Sequence, residues 1–401
     1  MKCILLTPWI SPHQLPLAEA IVKLIGGANF LYFYLEPPPL NHMLWGWDKL
    51  GKEKWCKLGG IDDKVLLDCE LLLSGVRDVS LFKDRAKLGN QTFYMSERWF
   101  KPPVGMFRLL YPKYFLMAWR MVKLMRQTPL FTYLPIGIHA ARDMARLCGL
   151  FAGDLRCLFR APKLDFERKP GGRVYLASSN LQLPATTTTK SKRYCLDKMR
   201  MWGYFVAPSK FPTLNSQRPH SSTPPLLQSP NLRVLWVGRL LKLKRVDTII
   251  RAVGEISRSP SNSNLQLQLD IYGFGPKEKR LKHLAEKYGD AITFHAPVSV
   301  MEVRRLMRKH DVYVLASNGY EGWGAVVSEA LEEGMEVFGT YEAGSSGTIL
   351  QESNLFHAGD WKGLMALFRD SRKNERDSTV KSFGWSAAVA AENLMKDCVN
   401  G

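Results

Sequence analysis

Apolar residues recur along this chain in two periods, and the two periods alternate. Short apolar runs at residues 1–6, 29–35, 71–74, 92–95, 131–136 and 156–159 predict strands. Between them, residues 17–24 and 140–147 carry the three-and-four spacing of a helix with one buried face. The alternation restarts after residue 231. Strands are predicted at 234–237, 267–272, 292–294, 312–315 and 336–339. Val246, Ile249, Ile250, Val253 and Ile256 share one helical face, and so do Leu281, Leu284, Ala285 and Tyr288. Strand–helix alternation implies an α/β chain with parallel sheets covered by helices on both faces.

Residues 208–231 break the rhythm with Pro208, Pro212, Pro219, Pro224, Pro225 and Pro230 among Ser, Thr and Gln, the composition of an interdomain linker. The tract at 184–192, with four consecutive threonines, predicts an exposed loop. The expected organisation is therefore a first domain over 1–207, a linker over 208–231, a second domain over 232–375 and a closing helix over 376–401 that packs back on the first domain. Two doubly wound, Rossmann-like domains facing a cleft would bind a ligand at the carboxyl ends of their strands.

Three segments of the second half carry candidate chemistry. Gly238 and Arg239 directly follow a strand, and Lys244 precedes a helix. Arginine grips phosphate oxygens through two N–H groups and lysine adds a point charge, so this loop suits a diphosphate. Gly273 and Gly275 follow the next strand and permit a tight turn. The third glycine of a dinucleotide fingerprint is missing, which argues against hydride transfer. Glu321, Gly322, Trp323 and Gly324 lead into a helix that carries Glu329. The glycines allow close backbone approach, and the helix start offers amides to an anion. Carboxylates on either side of a phosphate site can hold the hydroxyls of a sugar and of a ribose.

Order, spacing and strand context of these segments, over about residues 232–350, resemble the GT-B glycosyltransferases, specifically the retaining family-four (group 1) type found in bacterial surface-polysaccharide synthesis. Phe383-Gly-Trp-Ser386 is similar to that family's closing-helix motif. The resemblance implies that Arg239 and Lys244 neutralise the donor diphosphate, that Glu321 contacts the donor sugar, and that Glu329 holds the ribose hydroxyls. Gly238, Gly273, Gly275, Gly322, Trp323 and Gly324 would complete the donor site. The expected donor is a UDP- or GDP-sugar, and the expected acceptor is a glycan or polyprenyl-linked sugar. Two departures bear on the base: Gly334-Met335-Glu336 replaces a Gly-x-Pro, and Ala296-Pro297 replaces a glycine near the base-binding strand.

The first half is less explicit. His13, Glu97 and His139 each follow an apparent strand and are candidates for the acceptor side. The glycine pair expected after the first strand is absent from residues 8–14. Residues 98–126 hold seven basic residues and no acidic one, interleaved with aromatics. That composition fits docking on an anionic membrane surface, and it equally fits a packed helical hairpin with solvated charges.

Composition narrows the alternatives. Among 401 residues the formal net charge is +19, which favours anionic partners. A nucleic-acid-binding or DNA-modifying protein would exploit that charge, but no nucleic-acid module accompanies it. A sugar-nucleotide epimerase on the same fold, or a silent sugar-nucleotide sensor, would use the same pocket. The seven cysteines form no Cys-x-x-Cys pair and no Asp-x-Asp occurs, so neither a zinc site nor a metal or other cofactor is expected. No signal-peptide core and no apolar run long enough to span a bilayer is apparent, so a cytoplasmic protein, peripheral at the inner membrane face, is the expectation.

Overall fold

A computed structural model describes residues 2–43, 47–158, 166–168, 174–176, 195, 198–207, 231–258, 265–370 and 386–399. The chain divides into two compact units. One is Met1–Ala207 together with Gly384–Gly401, and the other is Pro208–Phe383.

The first unit is built on six strands: β1 (Cys3–Thr7), β2 (Phe30–Tyr34), β3 (Cys56–Leu58), β4 (Leu71–Ser74), β5 (Gln91–Ser96) and β6 (Phe131–Pro135). They are ordered β3-β2-β1-β4-β5-β6, and every neighbouring pair is parallel. Parallel strands covered on both faces read as unbroken apolar runs. β4 is the clearest example, with Leu71, Leu72, Leu73 and Ser74 all buried. The helices Asp63–Asp68 and Val79–Lys87 begin at Asp62 and Asp78, whose carboxylates accept the first free amides. The helix Leu15–Ile25 buries Leu17, Ala18 and Ile21 and carries the final helix, Ala387–Val399, on its side. Ser386 Oγ accepts from Val389 N at 3.2 Å and caps that last helix. A short antiparallel pair, β7 (Phe166–Arg168) and β8 (Val174–Leu176), follows β6 in the chain.

The second unit repeats the plan. β9 (Asn231–Val237), β10 (Gln266–Tyr272), β11 (Ile292–His295), β12 (Val312–Leu315), β13 (Glu336–Thr340) and β14 (Leu355–Phe356) are ordered β11-β10-β9-β12-β13-β14, again all parallel. Val246, Ile249, Ile250, Val253 and Ile256 of the helix Val246–Arg258 pack with Val234, Trp236 and Ile271 on one face of this sheet. Leu235, Tyr313 and Val337 pack with Val303, Met307 and Val327 from the helices Val300–Lys309 and Val326–Glu332 on the other.

One expected strand is corrected. Residues 155–158 form a 3-10 turn, Leu155–Leu158, in which Cys157 is buried while Leu155 is 66% exposed. The tract at 184–192, residues 208–230 of the expected linker and residues 383–385 of the closing motif lie outside the described residues. No helix of the described residues is long and apolar enough to cross a membrane.

Candidate active site

In the second sheet the strand order reverses between β9 and β12, the position where doubly wound sheets bind ligands at their carboxyl ends. β9 runs into Gly238, Arg239 and a 3-10 turn, Lys242–Lys244. β12 runs into the loop that carries Ser317, Asn318 and Glu321. The two loops are tied by Asn318 N, which donates to Leu243 O at 2.9 Å. Across this junction Lys244 Nζ pairs with Glu321 Oε2, and Ser317 Oγ donates to the same oxygen at 3.0 Å. Thus Lys244 and Glu321, which the sequence placed on separate segments, share one site. Arg239 stands exposed at the end of β9.

The direction of Lys244 is set by its neighbour. Arg245 holds φ +47 and ψ +40, a left-handed conformation that residues other than glycine seldom adopt. The kink turns the chain into the helix Val246–Arg258, and the Arg245 guanidinium reaches Asp247 at 3.2 Å. Strain of this kind costs about 1–3 kcal/mol and persists where the surroundings over-determine it.

Gly273 and Gly275 serve a contact that the sequence left without a partner. A Cβ on Gly273 would lie 1.9 Å from Gly238 O, and one on Gly275 would lie 2.7 Å from Leu240 O. Leu240 N donates to Phe274 O at 2.8 Å, and Gly238 N donates to Tyr272 O at 3.1 Å. The close backbone approach is therefore between the two loops, and it fixes Gly238 and Arg239 in place.

The loop through Gly322, Trp323 and Gly324 is held from below. Gly324 has φ +87, and a Cβ there would meet Leu315 at 2.9 Å. Trp323 is buried, so its ring anchors the loop. Ser345 N donates to Trp323 O at 2.8 Å, and Ser345 Oγ donates to Gly324 O at 2.9 Å. A Cβ on Gly344 would come 2.0 Å from Gly322 O. Thr340 Oγ1 donates to Ser317 O, and Ser346 Oγ donates to Thr340 O at 2.6 Å. Ser317, Thr340, Gly344 and Ser345 escaped the sequence reading. The available signal was the run of small residues, Gly344-Ser-Ser-Gly347, just beyond the end of β13.

Glu329 sits half-buried in the helix Val326–Glu332. Burial holds its carboxyl above the usual range, with Arg304 opposing and Glu333 adding to the shift. Tyr313 of β12 feels both glutamates: burial, then Glu321 and Glu329, push its phenol far up. Glu333 is itself enclosed and paired with Arg304 and with Arg308, the latter at 2.8 Å.

At the ends of β10 and β11, His295 stacks on Tyr272 with ring centres 4.3 Å apart and an interplanar angle of 11°. Its Nε2 lies 2.6 Å from Asp270 Oδ1, while His310 Nε2 and Arg233 reach Asp270 Oδ2 at 2.9 and 3.2 Å. Burial alone would raise the Asp270 carboxyl, but the hydrogen bonds from His295, His310 and Arg233 outweigh it and hold the group below its ordinary range. The sequence signal was a lone aspartate inside an apolar strand.

In the first unit, Glu97 and His13 meet through Tyr204. Tyr204 OH donates to Glu97 Oε1 at 2.9 Å, and the rings of His13 and Tyr204 lie 5.8 Å apart. Trp47 stands edge-on to His13 at 6.0 Å, and Lys101 pairs with Glu97. Burial first and the Glu97 carboxylate second push the Tyr204 phenol well above its usual range. His139 begins the helix Ile138–Leu150 after β6 and is half-buried. Gln14 Oε1 and Trp202 Nε1 are buried polar atoms without a hydrogen-bond partner. Gln14 Nε2 reaches Met95 of β5, and Trp202 bridges Ile136 just after β6, so both lie toward the carboxyl end of the first sheet.

Among the described residues no group of His, Cys, Asp and Glu is arranged to hold a metal ion.

Residues 220–382 match the sequence model of the family described as Glycosyl transferases group 1. A D-inositol 3-phosphate glycosyltransferase of Paenarthrobacter aurescens is 27% identical over 188 residues, which cover 43% of this chain and 45% of that protein. The GtfA subunit of a UDP-N-acetylglucosamine–peptide N-acetylglucosaminyltransferase from Limosilactobacillus reuteri is 27% identical over 156 residues, 37% of this chain and 28% of the relative. The chain thus spans less than half the length of these curated relatives. By fold it is similar to HepE of Anabaena, solved in complex with UDP (TM-score 0.52, 12% identity, covering 100% of this chain and 98% of that one). It is likewise similar to an E. coli protein bound with UDP-2-fluoro glucose (TM-score 0.57, 9% identity, 99% of each chain). Through residues 220–382 the chain is thus similar to the Glycosyl transferases group 1 family, and its two doubly wound units have the GT-B fold.

Proposed function

We propose that the protein is a hexosyltransferase-type glycosyltransferase that moves a sugar from a nucleotide-sugar donor to a glycan or lipid-linked acceptor, with retention and without a metal, in surface-polysaccharide assembly. The observation that carries this reading is the junction of Lys244, Glu321 and Ser317 at the switch point of the second sheet, beside Gly238 and Arg239. The family match over the same residues and the nucleotide-bearing fold neighbours support it.

In this reading the donor diphosphate lies along Gly238, Arg239 and Lys244. The bond between the sugar C1 and the diphosphate oxygen breaks, and its electron pair stays on the phosphate. Arg239, Lys244 and backbone amides around Gly322–Gly324 stabilise that charge where it develops, which is worth several kcal/mol in a preorganised site. The acceptor hydroxyl attacks C1 on the face the phosphate leaves, and its proton passes to the departing phosphate. Glu321 holds the donor sugar, and Ser317 keeps its carboxylate in register. Glu329 takes the ribose hydroxyls, and the Tyr272–His295 stack sits where the base would lie. Diphosphate binding exchanges a phosphate for the Glu321 carboxylate on Lys244, and until then the ion pair keeps the lysine aimed. The first unit would hold the acceptor near His13, Glu97 and His139.

A thermal-shift panel with UDP, GDP, ADP and CMP tests the donor site. Stabilisation by one nucleoside diphosphate, lost in Lys244→Ala, is the expected result. A panel with no response, or an unchanged response in the mutant, would sink the assignment.

A further inference from the structure

We infer that residues 104–123 of the first unit form a docking surface for an anionic lipid bilayer, in which an apolar ridge inserts and a ring of basic residues meets the head groups. The inference does not depend on the transfer chemistry, because it rests on the first unit alone.

The structure divides the aromatic and basic segment into two populations. Trp99 and Phe100 are buried, and so are Ala118, Met121, Val122, Leu124 and Met125 along one face of the helix Pro112–Gln127. These residues join Phe82, Tyr94, Phe131 and Tyr133 in the core of the first unit. Met106, Leu109, Tyr114 and Met117 pack partly buried against that core, and six other apolar residues face outward. Phe107, Leu110 and Tyr111 are 73%, 78% and 65% exposed, and Phe115, Leu116 and Trp119 are 44%, 42% and 40% exposed. Phe107 and Leu110 lie on the 3-10 segment Gly105–Leu110, which leads through Tyr111 into the helix. Leu116 and Trp119 fall three apart on the outer face of that helix, with Phe115 beside them. A solvated helical face holds scattered apolar residues, whereas this one concentrates six large ones in thirteen positions.

Charge specifies the occupant. Lys113, Arg120 and Lys123 share the outer face with Leu116 and Trp119, and all three are exposed. Lys123 Nζ lies 5.0 Å from the Trp119 ring centre, so a cation and an indole are presented together. No Asp or Glu occurs between residues 98 and 126 to neutralise them. An apolar ridge flanked by uncompensated cations and amphipathic aromatics matches the interface of a negatively charged membrane, with rings at head-group depth and lysines on lipid phosphates. A protein partner of ordinary composition would leave those cations unpaired at the contact.

The test is flotation of the full chain with vesicles of phosphatidylcholine alone and of phosphatidylcholine with 30 mol% phosphatidylglycerol at low salt. The chain is expected to float with the anionic vesicles and to remain with buffer when the vesicles are neutral. Lys113→Gln/Arg120→Gln/Lys123→Gln should lower the partition coefficient about a hundredfold, since each cation near such a surface contributes about a factor of five. Phe107→Ser/Trp119→Ser should lower it by a further order of magnitude or more while keeping the charge. Both variants change exposed side chains, and an unaltered melting curve confirms that they fold. Absence of flotation, or flotation that neither variant weakens, overturns the proposal. So does a self-associated chain that Trp119→Ser dissociates without any vesicle binding, which would make the ridge an interface between copies. Tight binding of an oligonucleotide, lost in the triple variant, with no anionic-vesicle binding, would assign the charge to nucleic acid and also overturn it. Donor stabilisation in the thermal-shift panel reads the second unit, so loss of one result leaves the other standing.

Discussion

Substituting Gly273 by alanine probes the contact that holds the Gly238–Arg239 loop, the proposed phosphate site. The added Cβ would lie 1.9 Å from Gly238 O, where ordinary contact begins at 3.4 Å, so the two backbones must part by about 1.5 Å. The Cβ is fixed rigidly by its own backbone and Gly238 O is a main-chain atom, so neither loop can answer with a rotamer change. Overpacking of this kind costs about 1–3 kcal/mol. The positive φ of 153° adds about 1–2 kcal/mol for a residue with a side chain. A total of about 2–5 kcal/mol in a unit of this size lowers Tm by roughly 5–15 °C. The functional effect should be larger than stability alone explains. A displacement near 1 Å at a positioning element can cost about a hundredfold in rate. The assay is kcat/KM for nucleotide-sugar consumption, measured well below the variant's melting point, beside affinity for the nucleoside diphosphate. Both should fall in Gly273→Ala, while Gly289→Ala, whose Cβ meets nothing within 4 Å, should lose only stability. A folded Gly273→Ala protein with near-normal affinity and turnover would refute the claim that loop contact sets the phosphate site.

Other expectations follow from the same geometry. Ser317→Ala removes a 3.0 Å hydrogen bond to Glu321 and should cost about 1 kcal/mol in transition-state stabilisation, seen as roughly a fivefold loss in kcat with KM little changed. Glu333→Ala leaves Arg304 and Arg308 facing an enclosed gap and should destabilise the second unit by about 3–5 kcal/mol in urea unfolding, whereas loss of an exposed pair such as Lys282–Glu278 should cost under about 1 kcal/mol. Asp270 is held below its ordinary carboxylate range in the fold. Its contribution is therefore complete above about pH 4, the unfolded value, and is lost as pH falls below that. Melting curves from pH 7 to pH 3 should show this decline in the native protein and a flatter profile in Asp270→Asn.

How much of this was legible follows burial and sequence distance. The strands β4 and β12 stood out because both faces are covered, and each is a continuous apolar run. The edge strand β3 was missed because Lys57 and Leu58 are exposed and only Cys56 is buried. The helix Val79–Lys87 was also missed, because it buries only Phe82 and Arg85 along its length. Residues 156–159 looked extended because Cys157, Leu158 and Phe159 are apolar, yet among those described only Cys157 reaches the core. In the site, glycine spacing correctly marked close backbone approach, but its partner at Gly273 is another loop, which spacing alone cannot identify. Lys244 and Glu321 were recognisable as separate charges. Their pairing, and the part played by Ser317, depend on β9 and β12 being neighbours in the sheet. Tyr204 is far in sequence from Glu97 and His13, and no local pattern joins the three.

The Lys244–Glu321 junction is proposed to transfer sugar from a nucleotide. The most direct test is release of nucleoside diphosphate from UDP- and GDP-sugars, followed by mass spectrometry with extracted lipid-linked and free glycan acceptors, for the native chain and Glu321→Gln. Acceptor-dependent release by the native protein is expected, with a loss of about a hundredfold or more in Glu321→Gln and nucleoside diphosphate affinity largely kept. Equal release by both proteins, or no nucleotide-sugar binding by either, would contradict it.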